Sequence, residues 1–322
     1  MGFVDREKNF SIINTKKEII KMPDADCKKV HELRNDGQRI WVALDLNNPV
    51  VRWNVAVGVL QSPLLMKQLD SDIITFFMAS RLKNPHLLEL EMCELELVRF
   101  MEFPEKISRL QGLFFFDDEH EFEKVKYMAP FNRCKLVECS IEPGAYSKHD
   151  MNWITYYESI KNRKDWAQSY WKGETCPYSE HGCPVWECIT NKTILVLDQE
   201  LKQALYDEWI SQDDAYGFLL QMGNMAVVFG YAIGNCFYRI VREKSHLHIR
   251  FFMRFPEDEC INVIKEMAKD PKWTNNGKAM FRQINKYYPE IIGISPDFRQ
   301  YDWCVTNEQK LTECDQFHFI KN

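Results

Sequence analysis

Residues 166–197, WAQSYWKGETCPYSEHGCPVWECITNKTILVL, constrain the architecture more than any other stretch of the chain. Trp166, Tyr170 and Trp171 recur at helical spacing, and Gly173 can stop that helix in a left-handed turn. A loop punctuated by Cys, Pro and Gly runs from Thr175 to Pro184. Two apolar runs follow, Val185 to Ile189 and Thr193 to Leu197, separated by Asn191-Lys192. That pattern predicts strand, turn, strand, and with the helix before it points to a mixed fold class. Glu187 stands out as a carboxylate inside an apolar strand. Such a group is costly if it faces the core and useful if it faces a cleft.

The rest of the composition narrows the class. At 322 residues the chain suits one large domain or two of ordinary size. Hydrophobic residues at 45% and charged residues at 27% describe a globular protein rather than a disordered one. A formal charge of −6 argues against attachment to nucleic acid by overall charge, while leaving a local basic face open. No apolar run approaches the ~18 residues that a bilayer span needs. The start MGFVDREKNF has no secretory apolar region, so a cytoplasmic protein without a membrane partner is expected. The 11 cysteines are then reduced thiols. Cys176, His181, Cys183 and Cys188 could supply four soft ligands, but they lack close C-x-x-C pairs, and no metal is expected.

Along the chain, residues 1–26 are expected to form an N-terminal arm, 27–200 a first domain and 201–322 an accessory α+β region. Arg39 to Leu46 and Val50 to Leu60 are predicted strands, and Ser62-Pro63 is predicted to open a helix reaching about Leu82. Asn84-Pro85 starts another helix, in which Glu89, Glu91, Glu94 and Glu96 form a solvated face. Ile107 to Phe116 and Lys135 to Ile141 are predicted strands, and Lys148 to Tyr157 a loop leading into a helix. Beyond Asp198, helices are predicted over Glu200 to Trp209 and Phe218 to Val228. A hairpin of Cys236 to Val241 and Leu247 to Phe255 follows, then a helix opened by Pro256.

Two stretches besides Glu187 carry side chains suited to chemistry. In SRLQGLFFF, Arg109 offers a planar fork that suits a phosphate or carboxylate, beside a row of flat aromatic faces. The same segment also reads as a core strand whose arginine reaches solvent at an edge. In FYRIVREKSHLHIRFFMRF, Arg239, Arg242, Lys244, Arg250 and Arg254 are interleaved with aromatics against the single acid Glu243. Such a hairpin is a surface for phosphates and unstacked bases, or an amphipathic hairpin with one solvated face.

The order of these pieces resembles the ADP-ribosyltransferase superfamily, and within it a bacterial family of unknown function, some of whose members act in phage defence. The matching residues are Lys29-Val30-His31 with Asp36-Gly37-Gln38, Glu96 to Arg99, Pro104 to Phe116, Asp150 to Asn152, Tyr170 to Gly173 and Trp186-Glu187. They lie within residues 27–200. The resemblance implies an α+β fold with a split of two small, mostly antiparallel sheets flanked by helices, with NAD as substrate between them. It implies that His31 contacts the ribose and that Ser108 and Arg109 help hold the dinucleotide. Phe114 or Phe115 would stack on nicotinamide, and Glu187 would be the catalytic glutamate with Trp186 beside it.

The expected activity is transfer of ADP-ribose from NAD to RNA, DNA or protein, as in a toxin or defence effector with an antitoxin or regulatory partner. A non-catalytic binding protein on the same scaffold, or an NAD glycohydrolase, are the alternatives.

Overall fold

The computed structural model describes residues 36–65, 72–144, 146–160, 162–163, 165–177, 183–229, 231, 233–243, 246–255, 257–269, 296 and 298–305. The expected N-terminal arm and His31 lie outside them. Strand β1 (Gln38–Leu44) places Ile40, Val42 and Leu44 in the core by simple alternation. Helix α1 (Pro49–Val57) comes next, where a strand was expected. Its signals are all present: Asn48 caps Val50 N, Pro49 occupies the first turn, and Gly58 ends it at φ 89°. Nearly every α1 residue is buried, so its apolar run has no polar face to reveal a helical period.

Of the next predicted helix, the described residues show one helical turn at Pro63–Leu65 and a short helix at Phe76–Arg81, with the strand Ile73–Ile74 before the latter. After strands β2 (Val59–Leu60) and β3 (Ile73–Ile74), helix α2 (Phe76–Arg81) is short. Helix α3 (Pro85–Glu89) passes through a π-helical segment, Leu90–Leu95, into α4 (Glu96–Glu102). Strand β4 spans Leu113–Phe115 alone, because residues 108–112 form a turn in which Ser108 O accepts from the Gln111 and Gly112 amides.

Helix α5 (Glu119–Val125), strands β5 (Lys135–Ile141) and β6 (Ser147–Asp150), and helix α6 (Trp166–Lys172) lead to β7 (Trp186–Thr190) and β8 (Ile194–Val196). The predicted loop at Lys148 is therefore in part a strand, whose inward residues His149 and Asp150 are buried but polar. Helices α7 (Gln199–Gln212) and α8 (Asp214–Val228), strands β9 (Cys236–Glu243) and β10 (His246–Met253), helix α9 (Glu257–Lys269) and strand β11 (Trp303–Val305) follow, and single helical turns at Asn152–Thr155 and Tyr157–Ile160 lie between β6 and α6.

The class is α+β, with three antiparallel sheets of orders β1-β5-β8-β2, β4-β7-β6 and β11-β10-β9-β3. The first two are continuous through chain segments, since β5 turns into β6 and β7 into β8, and a Trp41–Phe116 bridge ties their edges. One apolar core runs from Ile40 to Met267 across residue 200. The third sheet is anchored to α1 by buried polar bonds. Trp53 Nε1 donates to Gly234 O at 2.7 Å, and Asn54 both donates to Cys236 O and accepts from Cys236 N. Among the described residues no helix is long and apolar enough to cross a membrane.

Candidate functional site

The middle strand of the three-stranded sheet, β7, carries Glu187, paired across β6 with His149. Alternation along β7 sends Glu187 and Ile189 to one face and Trp186 and Cys188 to the other. The β4 register, Phe114 opposite Ile189 and Phe115 opposite Cys188, extends that division. Phe114 therefore shares the face of Glu187, whereas Phe115 and Trp186 lie on the opposite side. Phe115 is buried in the main core against Tyr146, and Trp186 lies near Lys148, 5.7 Å from its Nζ. Of the two expected phenylalanines, the register thus puts Phe114 on the glutamate's face, while Trp186, its neighbour in sequence, lies on the other.

Glu187 retains only 12% exposure at its side chain. Its Oε1 accepts from Arg109 Nη1 at 2.6 Å and from the Tyr170 hydroxyl at 2.9 Å, and Arg109 Nη1 also donates to the Tyr170 oxygen. Glu187 Oε2 accepts no hydrogen bond among the described residues. Arg109, 2% exposed, is committed on its other side: Nε and Nη2 grip the two oxygens of Glu91 at 2.7 and 3.1 Å. Arg81 Nε adds a 2.9 Å bond to Glu91 Oε1. Phe114 lies beneath the guanidinium, 4.8 Å from its carbon. Arg109 thus points inward to carboxylates rather than outward at an edge.

The charges support one another. Burial alone would discharge Arg109, but Glu187 and Glu91 outweigh it and hold the guanidinium protonated well above its ordinary range. Burial likewise works against the Glu91 carboxylate, yet Arg109 and Arg81 hold its pKa below the usual value. Burial, opposed by Arg109 and reinforced by Glu187 and Glu91, keeps Tyr170 a neutral phenol. Two arginines and two glutamates leave the cluster electrically balanced, which is the condition for burying it.

Glu91 and Tyr170 were not expected at the site. The acidic run of residues 89–96 reads as a solvated face, but Glu91 and Glu96 are fully buried. The helix there is π-wound, which turns residues out of the four-residue rhythm that a sequence pattern assumes. Arg99 Nε holds Glu96 at 2.7 Å, and burial, with Arg99 opposing it, still raises the Glu96 pKa. Tyr170 was read as part of an apolar helix face and of the matching stretch Tyr170 to Gly173, with no role at the site. Its ring stacks on His149 at 4.7 Å, and its carbonyl accepts from His149 Nδ1 at 2.9 Å. That bond protonates Nδ1, leaving Nε2 to accept from Ser147 Oγ at 2.9 Å. Burial, against the pull of the Tyr170 carbonyl bond, lowers the His149 pKa to about 4.

Ser108 is buried, and its hydroxyl accepts from Leu110 N at 3.2 Å, so it shapes the turn that delivers Arg109. In the basic hairpin, Lys244 and the side chain of Arg242 lie outside the described residues. Arg239 sits 3.2 Å from Asp72 Oδ2 and over the Phe252 ring. Arg250 pairs with Glu243 at 2.9 Å, and Arg254 makes two 2.6 Å bonds to Glu259. Phe237 is buried against Phe252. These three cations, Arg239, Arg250 and Arg254, have acids beside them that offset their charge.

Residues 67–203 match the family model described as a protein of unknown function, DUF2441. The match spans the positions of Arg81, Glu91, Arg109, Tyr170 and Glu187. No curated protein and no solved structure matches the chain.

Proposed function

We propose that the protein is an NAD-dependent mono-ADP-ribosyltransferase with Glu187 as its catalytic carboxylate. One observation carries the reading: Glu187 is nearly enclosed, pinned through Oε1, and among the described residues no side chain or amide bonds its Oε2. A carboxylate held that way can accept a bond from a ribose hydroxyl without losing its place. The two linked antiparallel sheets and Phe114 on the glutamate's face are compatible with a dinucleotide site of the kind the sequence resembles.

In the reaction, the bond from the ribose anomeric carbon to the nicotinamide nitrogen breaks, and its electron pair leaves with neutral nicotinamide. The ribose becomes oxocarbenium-like. Fixed negative charge from Glu187 at the adjacent hydroxyl offsets that developing cation. A nucleophilic oxygen or nitrogen of RNA, DNA or protein then bonds to the anomeric carbon and releases its proton. Water in that role gives hydrolysis instead.

The test is incubation with NAD labelled in its adenylate phosphate, together with RNA, DNA and a protein extract. Label on a macromolecule is the expected result and identifies the acceptor class. Free ADP-ribose alone would make the protein an NAD glycohydrolase, and intact NAD would leave it a non-catalytic binding protein.

A further inference from the structure

We infer that Arg109 and Tyr170 are positioning residues that hold Glu187 with one oxygen bare, and that Arg109 makes no contact with a diphosphate. The inference rests on the reading of Glu187 as the working carboxylate. Its geometry is that of a clamp. The Glu91 carboxylate takes two donors of the Arg109 guanidinium side by side. Because the guanidinium is planar, fixing Nε and Nη2 also fixes the direction of Nη1. That third nitrogen meets Glu187 Oε1 at 2.6 Å.

Tyr170 closes a triangle with the same two groups. Its hydroxyl accepts from Arg109 and donates to Glu187 Oε1, so Oε1 has two donors and cannot turn outward without losing both. His149, stacked on the ring and bonded to the Tyr170 carbonyl, holds the phenol. Glu91 itself is delivered by the π-helical segment, a distortion often found where a helix serves a site. Recruiting Arg109 to a diphosphate would strip Glu187 of its counter-ion, or leave Glu91 with Arg81 alone, in a buried place.

The experiment has two arms. In the first, the side-chain ¹⁵N–¹H signals of Arg109, assigned by their loss in Arg109→Lys, are followed by NMR in the full chain. Expected are separate Nη signals with slow rotation, which merge in Glu91→Gln and do not move with inorganic pyrophosphate. A saturable pyrophosphate shift overturns the inference. So do freely rotating Nη groups in the wild type.

In the second arm, Tyr170→Phe and Arg109→Lys are assayed with NAD. Tyr170→Phe keeps the ring and its stacking, and should lower kcat ~10-fold or more while KM stays within ~3-fold, the signature of a lost transition-state alignment. A variant pair that raises KM with unchanged kcat marks a substrate contact and overturns the positioning role. Wild-type protein that consumes no NAD removes the functional reading alone, and the Arg109 signals still decide whether the clamp exists.

Discussion

Arg109 Nη1 lies 2.6 Å from Glu187 Oε1, joining two residues 78 positions apart in a nearly water-free place. An ion pair so placed is sensitive to the loss of either member, because the survivor is left buried and uncompensated. Arg109 has a second carboxylate, Glu91, whereas among the described residues Glu187 has only Arg109 as a cation. The two glutamates should therefore respond differently to neutralisation.

Glu187→Gln should fold, with stability reduced by roughly 1–3 kcal/mol, since Gln can still accept from Arg109 and Arg109 keeps Glu91. Turnover of NAD should fall on the order of 10²-fold or more. Urea melts and NAD consumption check the two halves. Undiminished consumption would falsify the catalytic role.

Glu91→Gln should be the more damaging change to the fold, costing roughly 3–5 kcal/mol, because Arg81 and Arg109 both lose their shared anion in a buried place. Comparing urea midpoints of the two variants tests this ordering. Equal losses would mean that Glu91 is not the anchor.

His149 makes stability depend on pH. Its folded pKa is lowered from 6.5 to about 4, so between these values the unfolded chain binds a proton that the folded chain refuses. Stability should therefore fall as pH drops from about 6.5 toward 4, by roughly 3 kcal/mol over that window. Chemical denaturation at several pH values reads the slope. His149→Phe, which cannot titrate, should flatten this contribution, and an unchanged slope would assign it to other groups.

Gly112→Ala should destabilise by roughly 1–3 kcal/mol through overpacking. An added Cβ would sit 2.4 Å from Ile189 Cγ2 and 3.0 Å from Ser108 O, directly where β4 closes on β7. If NAD is consumed, this variant should also lose activity, since the same turn carries Arg109. A melting temperature equal to wild type would show that the turn has room to give.

Asn54→Leu tests the anchoring of the third sheet. It removes both hydrogen bonds to the Cys236 backbone and leaves a buried amide and carbonyl unpaired. A loss of about 2–4 kcal/mol is expected. Hydrogen exchange should rise first in β9. Exchange that rises only in α1 would contradict the anchoring.

Residues whose fate depends on near neighbours were legible. Gly173 ends α6 at φ 76°, and the β7–β8 turn sits where Asn191-Lys192 indicates, because caps and tight turns are decided within a few residues. Helix α9 begins after Pro256 for the same reason. Helix α1 was missed although Asn48, Pro49 and Gly58 mark its ends, because burial of nearly every residue erases the period that tells helix from strand. Glu91 and Glu96 deceived for a related reason. A run of acids resembles a wet face unless the arginines that neutralise it, Arg109 and Arg99, are known to face it.

The sequence by itself determined that a helix would stop at Gly173, that two strands would follow, and that Glu187 would ride on the first of them. Those outcomes rest on backbone geometry and local side-chain patterning. Only the tertiary structure decided that Glu187 faces Arg109 and Tyr170, that Phe114 rather than Phe115 shares its face, and that Glu91 backs the arginine. Electrostatic pairing across buried distances depends on which distant segments the core brings together, and no spacing along the chain encodes that.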